Sequence, residues 1–173
     1  MLLKSVKLMI REELGGILRV NVFIKLTIWI VLFESIGFLL GLLTQANLYP
    51  WYEQLNKSAL TPPGFVFSIV WTLIYGVLAS IAWIISNSSQ AFPKKITVFF
   101  GIQMLMNWLW TPLFFGLHWL IVSSLWLIGL TTLNGVLILE AKKRHKIIAW
   151  LLTPYILWLL FASYLNIVIA LMN

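Results

Sequence analysis

The sequence predicts an all-α membrane protein: a bundle of five transmembrane helices with a structured first loop. Three observations support this fold class. Of the 173 residues, 61% are hydrophobic and only 10% are charged. The apolar residues fall into five runs of at least about 20 residues, which is the length that a helix needs to cross a bilayer. The connections between the runs are short, so a separate soluble domain is not expected.

The first twenty residues differ from the rest because basic and apolar side chains alternate at helical spacing. Lys4, Lys7 and Arg11 lie among Leu3, Val6, Ile10, Leu14 and Ile17. This pattern suits an interfacial helix on an anionic membrane surface. A basic tail that only sets the topology explains it equally well. We therefore divide the chain into a basic amphipathic segment, residues 1–20, and a five-helix transmembrane domain, residues 21–173.

Hydropathy places the five spans with ends uncertain by a few residues. They are expected at Val22–Ala46, Phe65–Ser86, Ile96–Gly116, Trp119–Leu139 and Ile147–Met172. Two prolines, Pro112 and Pro154, lie inside spans and are expected to kink them. Gly37 and Gly41 form a Gly-x-x-x-Gly motif in the first span, which permits close helix contact within the bundle or in a homodimer.

The distribution of Lys and Arg predicts the orientation. The N-terminal segment, the second loop and the fourth loop, all on one side, carry eleven of them, whereas the other side has only Lys57. Under the positive-inside rule the N-terminus is cytoplasmic and the first loop lies outside. We expect an integral multi-pass protein, in a bacterial inner membrane. The net charge of +7 belongs to this asymmetry, and without a basic stripe with interleaved aromatics no nucleic-acid partner is expected.

The first loop, Trp51–Gly64, is the only long polar interruption. Two aromatic residues and the Pro62-Pro63-Gly64 break give it a shape that a merely solubilising surface would not require. The two prolines can open the second helix, where a missing N–H has no consequence. We interpret the loop as a cover over a site.

Polar residues at membrane depth are candidates for function because their burial is costly. Glu34 lies near the middle of the first span. It is either a protonated acid bonded to a neighbouring helix or a proton or cation site.

Three spans carry an aromatic or amide stripe on one helical face. In the third span the stripe is Gln103, Asn107, Trp110 and Phe114. In the second it is Phe67, Trp71 and Tyr75. In the fifth it is Tyr155, Trp158, Ala162 and Asn166. Each stripe is either helix-packing core or the lining of a small-molecule pocket.

Catalytic and metal chemistry find little support. The chain has no cysteine, and its two histidines, His118 and His145, stand alone in loops on opposite faces. No general-base constellation or metal-ligand set is evident. An enzyme is therefore not favoured, and we expect neither a required cofactor nor a metal.

Three stretches together resemble one family, the translocator proteins or tryptophan-rich sensory proteins, also called peripheral-type benzodiazepine receptors (TspO/MBR). The first stretch reads Trp51-Tyr52…Leu55-x-Lys57…Pro62-Pro63-Gly64…Phe67…Val70-Trp71-Thr72-Leu73-x-Tyr75-Gly76. The second reads Asn107-Trp108-x-Trp110-Thr111-Pro112-Leu113-Phe114-Phe115-Gly116. The third reads Pro154-Tyr155-x-x-Trp158-x-x-Phe161-Ala162-x-x-Leu165-Asn166. Their order and spacing match across residues 35–170.

The resemblance implies a five-helix bundle, often dimeric, that binds porphyrins and other lipophilic molecules such as sterols or benzodiazepine-like compounds beneath the first loop. By similarity, Asn107, Trp110, Trp158 and Ala162 line the pocket. Together with the loop and the stripes, the expected ligand-binding residues are Trp51, Leu60, Pro62, Pro63, Trp71, Tyr75, Gln103, Asn107, Trp110, Phe114, Tyr155, Trp158 and Ala162.

Two departures from the family pattern matter. Where the family commonly reads Lys-Pro-Ser-Trp-x-Pro-Pro, this chain has Leu60 in place of the tryptophan. Light-driven porphyrin degradation, proposed for some members, uses that indole, so its loss disfavours this activity. No Lys or Arg follows Tyr164 within five residues, so the C-terminal sterol motif of animal members is absent.

We therefore expect a membrane protein that binds, and transports or senses, tetrapyrroles and related lipophilic ligands, with a porphyrin such as protoporphyrin IX or a haem-like molecule as the ligand. Membrane lipid and a second copy of the chain are the other expected partners. The alternatives are a porphyrin-degrading enzyme that uses Trp158 and a proton-coupled transporter centred on Glu34.

Overall fold

The computed structural model describes residues 2–87 and 92–173, with side chains described from residue 21 onward except for Arg144. Its elements are helical, which confirms the predicted all-α class. The five long helices are α1 (Leu2–Ala46), α2 (Gly64–Asn87), α3 (Lys94–Thr111), α4 (Leu120–Arg144) and α5 (Lys146–Met172).

Each helix contains a stretch long and apolar enough to cross a membrane, which confirms the five predicted spans. These stretches are Asn21–Ala46, Gly64–Asn87, Lys94–Gly116, Leu120–Lys143 and Lys146–Met172. The side chains of the basic N-terminal segment lie outside the described residues. Its interfacial role and the domain boundary at residue 20 therefore stay predictions.

The helices form a closed ring. Contacts join α1 to α2, α2 to α5, α5 to α4, α4 to α3, and α3 back to α1. Because the chain order differs from the order around the ring, α5 closes the bundle between α2 and α4. Residues from opposite ends of the sequence therefore reach the same interior.

The two ends of the bundle differ in character. The loop end carries the first loop, the connection between α3 and α4, and the C-terminus, since Asn56 bonds Asn173 there. The basic end carries the connections between α2 and α3 and between α4 and α5. There Glu140 forms ion pairs with Lys95 (2.9 Å) and Lys143 (3.2 Å).

At Pro112 the third span changes from α-helix to π-helix. The α-helical part of α3 ends at Thr111, and Pro112–Gly116 continues as one turn of π-helix. The backbone N–H of Leu117 then bonds the Pro112 carbonyl at 2.8 Å. Proline has no N–H to donate and crowds the preceding turn, so the wider turn relieves the α-helical ladder at this point. Pro154, in contrast, lies inside the continuous helix α5.

Many of the most completely buried side chains lie where α5 packs against α2 and α4. Leu78, Ile81, Leu130, Leu137 and Leu152 are almost fully enclosed. By contrast, Phe33 is the buried residue of α1 among its described side chains. Trp29 and Ile30 of α1 also pack against the core, although they are only partly buried.

One of those contacts depends on Gly37. A Cβ atom at this position would lie 2.6 Å from two ring carbons of Tyr75, whereas a Cβ at Gly41 would meet no atom within 4 Å. Gly37, the first glycine of the Gly-x-x-x-Gly motif, thus brings α1 against α2 within one copy of the chain. Its role in a homodimer stays a prediction.

Candidate ligand-binding cavity

A cavity of about 650 Å³ lies inside the ring toward the loop end. Its walls come from α1, α2, α3 with its π-helical turn, and α5, and one loop residue, Tyr52, also borders it. Most of the lining is apolar or aromatic. The lining includes Glu34, Gly37, Gly41, Tyr52, Phe67, Trp71, Tyr75, Asn107, Trp110, Phe114, Trp158, Ala162 and Asn166.

A polar chain joins three helices at one side of the cavity. The Tyr75 hydroxyl donates to Asn107 Oδ1 at 3.2 Å, and Asn107 Nδ2 donates to the Tyr155 hydroxyl at 2.8 Å. All three side chains are buried. Hydrogen bonds of this kind hold helices together in a bilayer, where no water competes for the groups. They fix the faces that Tyr75 and Asn107 present to the cavity.

A second cluster holds Trp110. The indole N–H of Trp110 donates to Asn166 Oδ1 at 2.9 Å. The Asn166 amide nitrogen in turn donates to Ser124 Oγ at 2.8 Å and lies 3.2 Å from Ser123 Oγ. The Trp110 ring also stacks on Phe114, with centroids 5.3 Å apart. Helices α3, α4 and α5 thereby set the orientation of one aromatic wall.

The aromatic wall opposite comes from α2 and α5. Phe67 meets Trp158 edge-on with centroids 5.6 Å apart, and Trp71 is tilted against Tyr75 at the same distance. Among the described residues, the Trp158 indole nitrogen is buried without a hydrogen-bond partner. Such rings offer faces and edges on which a flat or cationic ligand can pack.

The first loop covers the cavity through Tyr52 rather than Trp51. Trp51 stacks on His118, with centroids 3.8 Å apart, and meets Phe114 and Phe115 edge-on. It therefore anchors the loop from outside the cavity. Burial raises the pKa of the Tyr52 phenol above its ordinary value.

The rest of the loop is fastened to the end of α5. Asn56 exchanges hydrogen bonds with Asn173, and the hydroxyls of Ser58 and Tyr164 share one at 2.9 Å. The Lys57 ammonium donates to three carbonyls of the loop itself, those of Tyr52, Glu53 and Leu55. These bonds give the cover its shape.

Of the residues predicted to contact a ligand, seven line the cavity: Trp71, Tyr75, Asn107, Trp110, Phe114, Trp158 and Ala162. Six stand outside the lining: Trp51, Leu60, Pro62, Pro63, Gln103 and Tyr155. Whether the first seven bind a ligand stays a prediction.

The six residues outside the lining have physical reasons to be there. Leu60 is 64% exposed at the surface of the loop, and Pro62 and Pro63 precede the first turn of α2. Gln103 lies one turn deeper than Asn107 and faces Asn134 of α4, 3.5 Å away. Tyr155 is fully buried behind Asn107, whose amide it accepts.

Helix α1 supplies a further wall, which the three predicted stripes did not include. Glu34, Gly37, Phe38, Gly41 and Gln45 all border the cavity. They follow one another at i, i+3, i+4, i+7 and i+11, which is one helical face. The spacing of Glu34 and the two glycines in the sequence could have predicted this wall.

A closed ring of five membrane-length helices around a ligand-sized cavity defines an integral multi-pass membrane protein. The chain belongs to the TspO/MBR family, whose model matches residues 29–172. This confirms the family resemblance.

Curated relatives agree with the family match. The chain is 31% identical over 150 residues to the tryptophan-rich protein TspO of Archaeoglobus fulgidus. The aligned region covers 87% of this chain and 97% of that protein. It is 32% identical over 139 residues to the translocator protein of Bos taurus, or 75% and 79% of the two chains. It is 32% identical over 133 residues to the tryptophan-rich sensory protein of Cereibacter sphaeroides, or 71% and 78%.

Proposed function

We propose that the protein binds lipophilic ligands, tetrapyrroles among them, in the cavity beneath the first loop. The observation that carries the proposal is the cavity itself. Its volume of about 650 Å³ falls within the range of small-molecule sites, about 300–1,000 Å³. Aromatic side chains from α2, α3 and α5 form part of its walls, and a few polar groups can orient what enters.

Transport or sensing of the ligand is a further step of the proposal. Relatives are named translocator protein and tryptophan-rich sensory protein, and either activity begins with binding. The loop cover supports a gated site, because its hydrogen bonds to Tyr164 and Asn173 are surface-exposed, where water can replace them. Opening of such a cover exposes the cavity without unfolding the bundle.

Filling the cavity should abolish binding. We expect Ala162→Phe, which inserts a ring among the lining residues, to weaken protoporphyrin IX binding at least about tenfold, since the larger side chain occupies ligand volume. Leu160→Phe on the same helix is the matched control, because Leu160 is 55% exposed on the outer face. Binding is measured by quenching of tryptophan fluorescence in the purified protein.

Saturable quenching by the wild type and Leu160→Phe, with loss in Ala162→Phe, supports the proposal. Equal affinity in all three proteins would place the ligand elsewhere, and no saturable binding at micromolar porphyrin would refute it. The same titration under illumination tests the enzyme alternative. Pigment loss that disappears in Trp158→Phe would favour porphyrin degradation.

The orientation is part of the proposal, with the loop end outside the cytoplasm and the basic end inside. Lys95, Lys142, Lys143 and Lys146 stand at the basic end, as the positive-inside rule requires of the cytoplasmic side. The loop end has Lys57 alone. The cover over the cavity would then face the periplasm in a bacterial inner membrane.

Single cysteines test this orientation cleanly because the chain has none of its own. Gln54 in the loop and Lys142 at the basic end are both exposed. We expect a membrane-impermeant maleimide to label Gln54→Cys in intact bacterial cells and Lys142→Cys only after the membrane is permeabilised. The reverse pattern would invert the proposed topology.

A further inference from the structure

The lining of the cavity contains an acidic side chain in addition to its aromatic walls. Glu34 is the only carboxyl group among its described lining residues, and no Lys, Arg or His is among them. Two phenols, those of Tyr52 and Tyr75, complete the ionisable groups of the lining. Whatever binds in the cavity therefore meets a carboxyl group and no compensating cation.

The carboxyl group has no partner in the part of the chain whose side chains are described. Ion pairs there involve Glu140 and not Glu34, and no hydrogen bond reaches the Glu34 side chain. Lys25, on the same helix, is nine residues away, or about 13 Å along the axis. The interpretation of Glu34 as an acid bonded to a neighbouring helix thus finds no bond in the structure.

A carboxyl group without a partner at membrane depth is costly to keep and marks a functional position. Glu34 lies close to the middle of its span, Asn21–Ala46, and so at the deep part of the cavity rather than under the loop. Trp71 and Tyr75 border the same cavity, with ring centroids 5.6 Å apart. A carboxylate combined with tryptophan and tyrosine rings is a favourable environment for an organic ammonium group.

We propose that the cavity selects lipophilic cations, and that an ammonium group on an apolar body binds against Glu34. This inference rests on the proposed function, because it requires the cavity to bind a ligand. An ammonium supplies both the opposite charge and the hydrogen-bond donors that the carboxylate lacks. Its apolar body then lies along the aromatic walls toward the loop.

An anionic group on a ligand would meet no cationic side chain among the described lining residues. The nearest described cation toward the loop is Lys57, whose ammonium is occupied by three backbone carbonyls. Carboxylates on a ligand such as a porphyrin therefore have no cationic partner in the lining and must remain at the opening. Charge at the head of the ligand, in addition to its apolar area, decides what the cavity retains.

A pair of probes with one apolar body tests this selectivity. We expect 2-(1-naphthyl)ethylammonium to bind the purified full-length protein at least about tenfold more tightly than 2-(1-naphthyl)ethanol, or about 1.4 kcal/mol. Isothermal titration calorimetry in a neutral detergent measures both affinities. Glu34→Gln keeps the shape of the side chain and removes its charge, so it should lower the affinity for the ammonium to that of the alcohol. The measured quantity is the ratio of the two affinities, which should fall to about one in Glu34→Gln.

Glu53→Gln is the matched control, since it makes the same chemical change at an exposed loop position outside the cavity lining. It should retain the full preference for the ammonium. Equal affinity of the wild type for both probes, or a preference that survives Glu34→Gln, would overturn this inference and leave the proposed function standing. Absence of binding by both probes and by protoporphyrin IX would overturn the proposed function, and this inference with it.

Discussion

Gly37→Ala should destabilise the protein by about 1–3 kcal/mol, the usual cost of overpacking, although alanine is the better helix former by about 1 kcal/mol. The new methyl group would lie 2.6 Å from Cδ2 and Cε2 of Tyr75. The ring cannot easily retreat, because its hydroxyl donates to Asn107 within the polar chain that continues to Tyr155. The strain therefore reaches the α1–α2 contact and the cavity wall together.

Gly41→Ala is the matched control one helical turn away. No atom lies within 4 Å of the added methyl group, so stability should stay level or rise slightly through helix propensity. Thermal unfolding of both variants in the same detergent gives the comparison, at about 2–4 °C per kcal/mol for a chain of this size. Equal melting temperatures for the two alanine variants would contradict the close contact between Gly37 and Tyr75.

The fold was predictable because the membrane imposes it. A spanning segment must be long, apolar and helical, and the five predicted spans agree with the structure to within a few residues. The order of helices around the ring was not predictable. Hydropathy contains no information on which apolar faces meet, and the contact between α2 and α5 joins helices that residues 88–145 separate in the sequence.

The candidate site was predictable where a regular helix carries it. Asn107, Trp110 and Phe114 share a face and line the cavity together. Gln103 shares that face but lies a turn deeper, where α4 supplies Asn134 instead of open space. Periodicity predicts the direction of a side chain and not the depth at which the cavity ends.

The loop was the least predictable part of the site. Trp51 and Tyr52 are neighbours in an irregular segment, Leu48–Tyr52, where Tyr49 has extended backbone angles of φ −114° and ψ 135°. No helical period therefore relates them. The structure turns the Tyr52 side chain toward the cavity and Trp51 onto His118. Only the three-dimensional contacts distinguish the cover from its anchor.

The second large effect is expected at Asn166, which joins α5 to both α3 and α4. Asn166→Leu should destabilise the protein by about 1–2 kcal/mol, because it leaves the half-buried Trp110 indole N–H without its acceptor. The substitution removes fewer necessary hydrogen bonds from the two serines that Asn166 contacts. The hydroxyls of Ser123 and Ser124 already donate to the Leu120 carbonyl, so the substitution removes only a donor to them. In membrane proteins single bonds average about 0.6 kcal/mol, and a larger loss here would reflect the orphaned indole.

Asn87→Leu is the matched control, since the exposed amide of Asn87 bonds the Trp83 carbonyl and Ser86 Oγ within its own helix. It should leave unfolding in mixed micelles unchanged. Asn166→Leu should also weaken ligand binding, because Trp110 forms part of the cavity wall and loses the bond that orients it. A variant that unfolds like the wild type would show that the stack of Trp110 on Phe114, at 5.3 Å, suffices to hold the indole. Loss of stability with unchanged binding would instead separate the packing role of Asn166 from the shape of the cavity.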